Sequence, residues 1–327
     1  MHISPLLAAL CLIVAPVHAK EAKWTLVIHG GAGTMERERM TPEQDKAIRA
    51  ALDQAIDVGA KVLAAKGSSL DAVEAAVKVL EDNPYFNAGR GAVFTWEGHN
   101  ELDASIMDGR TRAAGAVAGV TRTRNPVGLA RAVMEKSRHV FLSGVGADQF
   151  SVEQGLPQAD PSWFATPERR EQLERMKARK LGWYDVDRKF GTVGAVAVDV
   201  DGHVAAATST GGTTGKRWGR IGDSPVIGAG AIVGVCACAV SATGAGEYFI
   251  RVGAAHEICA RIRLKGETPK QAADAVIAEI GALGGDGGVI VTGPDAIANW
   301  AFNTPGMYRG KASSTGERKV AIFNDED

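Results

Sequence analysis

The sequence is poor in cysteine, and its few cysteines do not form the pattern of a disulfide scaffold. Four are present among 327 residues. If Cys11 leaves with an N-terminal leader, an odd number remains, namely Cys236, Cys238 and Cys259. Small secreted domains stapled by disulfides carry a dense, even set, so that class is excluded. We expect three buried free thiols, with Cys236 and Cys238 on one face of a single strand because side chains alternate along a strand.

Net charge is also nearly absent. The chain carries 37 Lys and Arg against 38 Asp and Glu, which gives a formal charge of −1. Proteins that bind nucleic acid or an anionic membrane usually carry a basic excess, so neither partner is expected. With 327 residues and a hydrophobic share of 45%, the chain can bury a sizeable core as one large domain or two ordinary ones.

Glycine, in contrast, is abundant. The chain contains 40 glycines, well above the usual share of about 7%. They cluster inside apolar segments, which indicates close approaches of the backbone rather than flexible linkers. One cluster, Gly228-Ala229-Gly230 with Gly234, lacks the G-x-G-x-x-G spacing of dinucleotide-binding turns, so we predict no dinucleotide site.

The N-terminus has the pattern of an export signal. Residues 6–14 form an apolar run that is too short to span a bilayer, and Val17-His18-Ala19 ends in a small residue, as a cleavage site does. We predict a signal peptide over residues 1–19 and a periplasmic or secreted protein that no membrane retains after signal removal. The segment before the run lacks Lys and Arg, so a buried N-terminal helix is the alternative.

Local signals predict strands grouped with strands and helices with helices. A capping box at Thr41-Pro42-Glu43-Gln44 opens a helix that we end at Gly59, and residues 247–263 predict another helix. Asp201-Gly202 predicts a hairpin between strands at residues 193–200 and 204–208, and residues 231–240 predict one strand. This grouping indicates an α+β protein with two sheets between helical layers.

The strongest chemical signal is Gly191-Thr192. A threonine hydroxyl is a poor nucleophile unless a base lies beside it, and cleavage before the threonine would make its own α-amine that base. A charged tract at about residues 154–191 reads as an exposed linker leading directly to this position, which suits a cut there. An ordinary Gly-Thr pair at the start of a strand is the alternative.

Polar groups for a substrate follow Thr192 along the chain. Thr210 lies in a tract of hydroxyls and glycines that can orient a nucleophile by hydrogen bonds. Arg220 and Asp223 can hold a carboxylate and an ammonium group, although a surface salt bridge explains such a pair equally simply. Thr243 and Gly244 end a strand before a helix, where a hydroxyl and backbone amides can form an oxyanion hole.

Seven motifs together resemble one known family, the isoaspartyl peptidases/L-asparaginases, which are plant-type asparaginases and Ntn hydrolases. The similarity runs from about Lys23 to Asn324 in the family's order and spacing. The motifs are His29-Gly30-Gly31-Ala32-Gly33, Asn87-Ala88-Gly89, Glu101-Leu102-Asp103-Ala104-Ser105, Gly191-Thr192-Val193-Gly194-Ala195-Val196-Ala197, Thr208-Ser209-Thr210-Gly211-Gly212, Gly219-Arg220-Ile221-Gly222-Asp223-Ser224-Pro225 and Thr243-Gly244-Ala245-Gly246-Glu247.

The resemblance implies a four-layer αββα sandwich that cuts itself at Gly191–Thr192. It implies an α subunit of residues 20–191, a β subunit of residues 192–327, and a dimer of such αβ pairs. No cofactor is implied for catalysis, but a structural sodium ion is. The family's main-chain carbonyl ligands correspond to Leu80, Glu81, Asn83, Phe86, Ala88 and Arg90.

Site roles transfer by position. Thr192 corresponds to the nucleophile and Thr210 to the residue that orients it. Arg220 and Asp223 correspond to the groups that bind the substrate's α-carboxylate and α-amine. The remaining assignments are Thr243 and Gly244 for the oxyanion hole, Gly246 for a further substrate contact and Asn87 for positioning the attacked group or water.

The implied substrates are L-asparagine and β-aspartyl dipeptides. Both present the same α-amine, α-carboxylate and β-amide. A glycosylasparaginase of the same fold is one alternative, and an exported amino-acid binding protein, for which Arg220 and Asp223 suffice, is another.

Overall fold

A computed structural model describes residues 23–33, 35–179, 191–234 and 238–326. The proposed leader, Cys11, Cys236 and the last part of the predicted linker therefore lie outside the described residues. No helix within the described ranges is long and apolar enough to cross a bilayer.

Within the described ranges, twelve strands form two sheets. Their bounds are β1 Thr25–Gly33, β2 Leu102–Asp108, β3 Ala114–Val120, β4 Phe141–Ser143, β5 Val193–Val198, β6 Val204–Thr210, β7 Ala231–Gly234, β8 Cys238–Gly244, β9 Gly287–Thr292, β10 Asn299–Phe302, β11 Gly306–Ser313 and β12 Arg318–Phe323. The larger sheet has the order β12-β11-β1-β5-β6-β2-β3-β4, and the smaller has the order β10-β9-β8-β7. All neighbours are antiparallel except β3 and β4.

Helices cover both outer faces. Their bounds are α1 Pro42–Ala64, α2 Ser69–Glu81, α3 Pro126–Lys136, α4 Gly144–Glu153, α5 Pro161–Phe164, α6 Pro167–Ala178, α7 Gly246–Val252, α8 Ala254–Lys265 and α9 Pro269–Ala282. Helices α1 to α3 pack on the larger sheet, and α8 and α9 pack on the smaller sheet. The sheets contact each other through β1, β5 and β6 on one side and β8 and β9 on the other. The predicted αββα arrangement is therefore confirmed.

The period-two alternation of side chains builds two separate cores. On β5, Ala195 and Ala197 join the cluster under α1 to α3, whereas Val196 and Val198 join the cluster between the sheets. Even-numbered positions of β5 therefore face the smaller sheet. Thr192, one step before β5, has the same parity and lies on the inter-sheet side of the larger sheet.

Helix α1 corrects one prediction. The capping box at Thr41 and Gln44 is present, but the helix continues past Gly59 to Ala64. Gly59 is buried, and a Cβ there would lie 2.6 Å from Leu26 Cδ2. The glycine permits close packing of the helix on β1, which its sequence position does not distinguish from a stop signal.

Two further element boundaries differ from prediction. The single strand expected at residues 231–240 is two antiparallel strands, β7 and β8, with Gly234 opposite Cys238. The single helix expected at residues 247–263 is broken at Gly253, whose φ is 62°. Residues 231–240 are apolar throughout, and a single glycine inside an otherwise helical segment does not distinguish a break from a continuous helix.

The predicted linker is only partly exposed. Its charged segment contains α6, which begins at the N-cap Thr166 and buries Arg169, Leu173 and Met176. Phe164 at the end of α5 is fully buried. The tract therefore packs on the body of the protein as far as the described residues extend, up to residue 179.

The cysteines contradict the expectation of free thiols. Cys238 at the start of β8 and Cys259 in α8 form a disulfide, with their Cα atoms 5.8 Å apart. Both are buried, since α8 packs directly on the smaller sheet. The residues are 21 positions apart in sequence, so only the packing of helix on strand shows that they meet.

The disulfide predicts how many free thiols the protein contains before and after reduction. The mature, unreduced protein should yield one thiol on denaturation, from Cys236, and three after reduction. Because the bond closes a loop of about 20 residues, its reduction should lower the free energy of unfolding by roughly 3 kcal/mol. A thiol assay and denaturant titration measure both. The Cys238→Ala/Cys259→Ala variant should not respond to reductant, and three thiols without reduction would disprove the bond.

Candidate active site

The register of the β5–β6 hairpin brings Thr192 to Thr210. Val198 pairs with Val204 and Val193 with Ser209, so one further step places Thr192 opposite Thr210. Thr192 Oγ1 donates a 2.9 Å hydrogen bond to Thr210 Oγ1, which also accepts a 3.0 Å bond from the Gly212 amide. The Thr192 proton is thereby drawn toward a polarised acceptor, and only 7% of Thr192 is exposed.

Asn87 holds Gly191, the residue before Thr192. Its backbone amide donates to the Gly191 carbonyl at 2.9 Å, and its Nδ2 donates to the Gly212 carbonyl at 2.7 Å. A Cβ on Gly191 would lie 2.7 Å from the Asn87 nitrogen, so glycine is required for this approach. Hydrogen bonds therefore hold both groups beside the Gly191–Thr192 bond: the Gly191 carbonyl accepts from Asn87, and the Thr192 hydroxyl donates to Thr210.

His29 on β1 contacts the carbonyl of Thr192 itself. Its Nδ1 lies 2.9 Å from the Thr192 oxygen, and its Nε2 lies 2.8 Å from Ser241 Oγ. Ser241 Oγ in turn lies 2.7 Å from Thr208 Oγ1. Burial lowers the pKa of His29 to about 3, so the ring is neutral.

The proton positions in this chain follow from the acceptors. A carbonyl only accepts, so the single N–H of the neutral ring is on Nδ1 and points at Thr192. Nε2 is then an acceptor, and Ser241 donates to it. Gly194 leaves space for the hydrogen bond between His29 and Ser241. A Cβ at this position would lie 2.4 Å from His29 Nε2 and would also collide with Ser241 Oγ.

Arg220 and Asp223, the predicted recognition pair and called the clamp from here on, both lie beside Gly246. Arg220 is not entirely free. Its Nε and Nη2 donate to the two carboxylate oxygens of Glu247 at 2.9 and 3.0 Å, which leaves Nη1 facing away from Glu247. Asp223 is buried, with Oδ2 lacking any partner among the described residues. Glu247 was missed as a partner because sequence reasoning paired Arg220 with Asp223 alone.

Gly246 keeps the clamp open. A Cβ at this position would lie 2.7 Å from Asp223 Oδ1 and 3.1 Å from Arg220 Nη2. Any side chain would therefore fill the space between the two charges. Gly212 lies between this pair and Thr192. A Cβ on Gly212 would lie 3.5 Å from Arg220 Nη1. The Gly212 amide donates to Thr210 Oγ1, and its carbonyl accepts from Asn87 Nδ2.

Burial sets the protonation of Asp223. Loss of water raises its pKa from 3.8 to about 7, and the nearby Arg220 offsets only part of that rise. A carboxyl in this state gains a proton readily as the pH falls, and it ionises readily when a cation arrives.

Thr243 and Gly244 lie at the end of β8, two residues beyond Ser241. Thr243 shares the strand face of Ser241, which points at His29 on the larger sheet. The Thr243 hydroxyl is fully buried and has no hydrogen-bond partner within the described ranges. A buried hydroxyl without a partner is costly, and a ligand oxygen would satisfy it.

Main-chain carbonyls approach two glycines in the loop after α2. Glu81 ends α2, and its carbonyl occupies the space that a Cβ on Gly89 would need. The Phe86 carbonyl lies in the same way against Gly91. The Glu81 side chain turns away, accepting from the Val127 amide at 2.9 Å. The carbonyls of Leu80 and Ala88, two of the predicted sodium ligands, accept hydrogen bonds from the amides of Asn83 and Gly91 at 3.2 Å.

Lys216 is a charged residue near the site that sequence reasoning missed. Its side chain is 1% exposed, and its Nζ lies 3.6 Å from Glu101 Oε2 and donates to the Glu101 carbonyl. The Nζ lies 3.3 Å from the position of a Cβ on Gly212. His29 was present in the glycine motif but had no assigned role. Both lack a local signal, because their partners are remote in sequence.

Comparison with known proteins agrees with this geometry. The asparaginase family profile matches residues 22–322. The chain is 47% identical over 314 residues to an isoaspartyl peptidase of Escherichia coli, covering 93% of this chain and 97% of that protein. It is 42% identical over 280 residues to the human isoaspartyl peptidase/L-asparaginase, covering 84% and 89%. With a family match across almost the whole chain and relatives this similar, the protein is a member of the asparaginase family of Ntn hydrolases.

Proposed function

We propose that this protein cuts itself at Gly191–Thr192 and then hydrolyses L-asparagine and β-aspartyl dipeptides. The observation that carries the proposal is the 2.9 Å bond from the Thr192 hydroxyl to Thr210, next to a Gly191 carbonyl held by Asn87. The names of the relatives in Escherichia coli and human support the same activity.

Processing would begin with attack of Thr192 Oγ1 on the Gly191 carbonyl carbon. The peptide C–N bond breaks, an ester forms, and the Thr192 nitrogen takes a proton as it becomes an amine. Water then hydrolyses the ester, which gives a Gly191 carboxylate and a Thr192 with both hydroxyl and amine free. An α-amine has an ordinary pKa of about 7.7–8.0, so it can serve as a base near neutral pH.

The same hydroxyl would then attack the substrate. Arg220 Nη1 and Asp223 bind the α-carboxylate and α-ammonium, which places the β-amide at Thr192. The amine of Thr192 takes the hydroxyl proton and passes it to the leaving nitrogen, and Thr243 with the Gly244 amide stabilises the oxyanion. Water hydrolyses the resulting β-aspartyl ester and releases aspartate.

Three further assignments belong to the proposal. A sodium ion in the loop after α2 follows from the resemblance, and the carbonyls of Glu81 and Phe86, two of its predicted ligands, approach Gly89 and Gly91 in that loop. Export to the periplasm or the medium fits the Cys238–Cys259 disulfide, since disulfides persist in oxidising compartments. Assembly as a dimer of αβ pairs follows from the resemblance alone.

Denaturing electrophoresis tests processing. The parent should give two fragments of roughly 18 and 14 kDa from a chain of 34.2 kDa. Thr192→Ala removes the nucleophile and should leave one band. Thr192→Ser keeps a hydroxyl and should still be cut, although more slowly. Two fragments from Thr192→Ala would show that another group, or another protease, makes the cut. One band from the parent would favour an amino-acid binding protein.

Hydrolysis of a glycosylated asparagine distinguishes the proposed enzyme from a glycosylasparaginase of the same fold. A glycosylasparaginase would release the glycan-linked amine, whereas the proposed enzyme should prefer asparagine and β-aspartyl dipeptides.

His29 should act as a positioning residue for Thr192. His29→Leu deletes the donor to the Thr192 carbonyl, and a hydrogen bond of about 1–3 kcal/mol predicts a fall in kcat of roughly 10- to 100-fold. KM should change little, since Arg220 and Asp223 are intact. His29→Asn retains a donor at the Nδ1 position and should recover much of the loss.

The matched control for His29 is His256, an exposed histidine on α8. His256→Leu should leave kcat and processing unchanged. A His29→Leu enzyme with parental kcat would show that the bond to Thr192 has no positioning role.

The pKa of Asp223 predicts a pH dependence of recognition. As the pH falls through about 7, Asp223 gains a proton and loses its attraction for the α-ammonium. The inhibition constant of L-aspartate should therefore rise about tenfold between pH 8 and pH 6, as for a single titrating group. Asp223→Asn should bind more weakly and lose this dependence. A constant that stays flat from pH 8 to pH 6 in the parent would contradict the assignment.

A further inference from the structure

Arg169 is a buried cation that the proposed chemistry does not use. It lies in the first turn of α6 and is 7% exposed. Its Nε donates to the Gly91 carbonyl at 2.9 Å and its Nη1 to Gln172 Oε1 at 3.2 Å. No carboxylate within the described ranges lies at ion-pair distance from it. Burial lowers its pKa, but a guanidinium stays charged in proteins. Such a charge is costly without a counterion.

A cavity of about 60 Å³ connects Arg169 with the cleavage position. Its lining includes Arg169, Gly191, Tyr308 and Glu168. Burial raises the pKa of Tyr308 to about 12, so its phenol keeps its proton, and the charge of Arg169 acts on it. The Tyr308 hydroxyl forms no hydrogen bond among the described residues. Two donors that lack an anionic partner therefore border the same space as Gly191.

We propose that Arg169 and Tyr308 form a binding site for the carboxylate that cleavage creates on Gly191. This inference rests on the proposed self-cleavage. Hydrolysis of the Thr192 ester adds one water, leaving a carboxylate on Gly191 and a free hydroxyl and amine on Thr192. Before cleavage the Gly191 carbonyl accepts a hydrogen bond from the Asn87 amide. After cleavage the new carboxylate leaves that amide and turns into the cavity, toward the guanidinium and the phenol.

The site would keep the new Gly191 carboxylate apart from the Thr192 amine, which arises from the same cleaved peptide bond. A carboxylate left beside Thr192 would favour the ammonium form of its amine and raise the pKa of that amine. The amine would then be a poorer base. Binding of the carboxylate by Arg169 supplies the missing counterion there and leaves the Thr192 amine free to take a proton. Glu36 and Glu168, the two acidic residues of the cavity lining, are both exposed, and water screens their charges.

Carbon-13 NMR of protein labelled with [1-13C]glycine tests the site directly. The chain has 40 glycines, and only Gly191 would end a fragment, so the processed protein should show a single glycine carboxylate signal. Its titration midpoint should lie at least about one pH unit below the ordinary α-carboxyl range of about 3.3–3.7, because a guanidinium favours the anion. In Arg169→Gln the midpoint should return to that range. An ordinary midpoint in the processed parent would overturn the proposal.

Melting temperatures provide a second test at neutral pH. Arg169→Gln is compared in the processed protein and in the uncut Thr192→Ala protein. If the carboxylate binds Arg169, the substitution should lower the melting temperature by at least about 3 °C more in the processed protein. Arg175→Gln, an exposed arginine of α6, should show no such difference. Equal losses in cut and uncut protein would mean that Arg169 has a structural role only.

The outcomes distinguish this inference from the function on which it rests. If the parent remains one band on a denaturing gel and shows no glycine carboxylate signal, self-cleavage itself is wrong and the site has no ligand. If the parent is cut but its carboxylate titrates normally, the cleavage stands and Arg169 does not bind its product.

Discussion

The pairing of β5 with β6 is the interaction on which the rest of the site depends. It places Thr192 opposite Thr210 at the end of a hairpin that lies in the middle of the larger sheet, between β1 and β2. Every β5 residue is fully buried. A shift of one residue would turn Thr192 to the α1–α3 side and move the valines out of the inter-sheet core. The core thus enforces the register, and the register positions Thr192.

The close approach of the two sheets supplies the remaining supports. His29 from β1 and Ser241 from β8 meet beside Gly194, where only a residue without a side chain leaves enough space. The hydrogen bond from His29 orients the carbonyl of the Thr192–Val193 peptide, while Asn87 orients the carbonyl of the Gly191–Thr192 peptide before it. The peptides on both sides of Thr192 are therefore held in place.

Buried charge surrounds Thr192 at a cost to the fold. Asp223, Lys216 and Arg169 are all nearly inaccessible to solvent. Lys216 has Glu101 as a partner, whereas, among the residues that the structure describes, Asp223 Oδ2 has no partner and Arg169 donates only to neutral acceptors. Groups of this kind are poor contributors to stability, because desolvation opposes their ionised forms. We infer that Asp223 and Arg169 receive their counterions from the substrate and from the cleaved chain.

The sequence by itself determined the layers, the hairpin and most residues of the candidate site, because these depend on local turn chemistry, alternation and a colinear series of motifs. Counting outward from a two-residue turn at Asp201-Gly202 would pair Thr192 with Gly211, whereas the observed register, with Val198 opposite Val204, brings Thr192 opposite Thr210. Tertiary structure alone decided what depends on distant contacts. It placed His29 against the Thr192 carbonyl, Glu247 against Arg220 and Cys259 against Cys238, across separations that no local pattern encodes. It also carried α1 through Gly59, because packing against Leu26 decides whether a glycine ends a helix or lets it approach a strand.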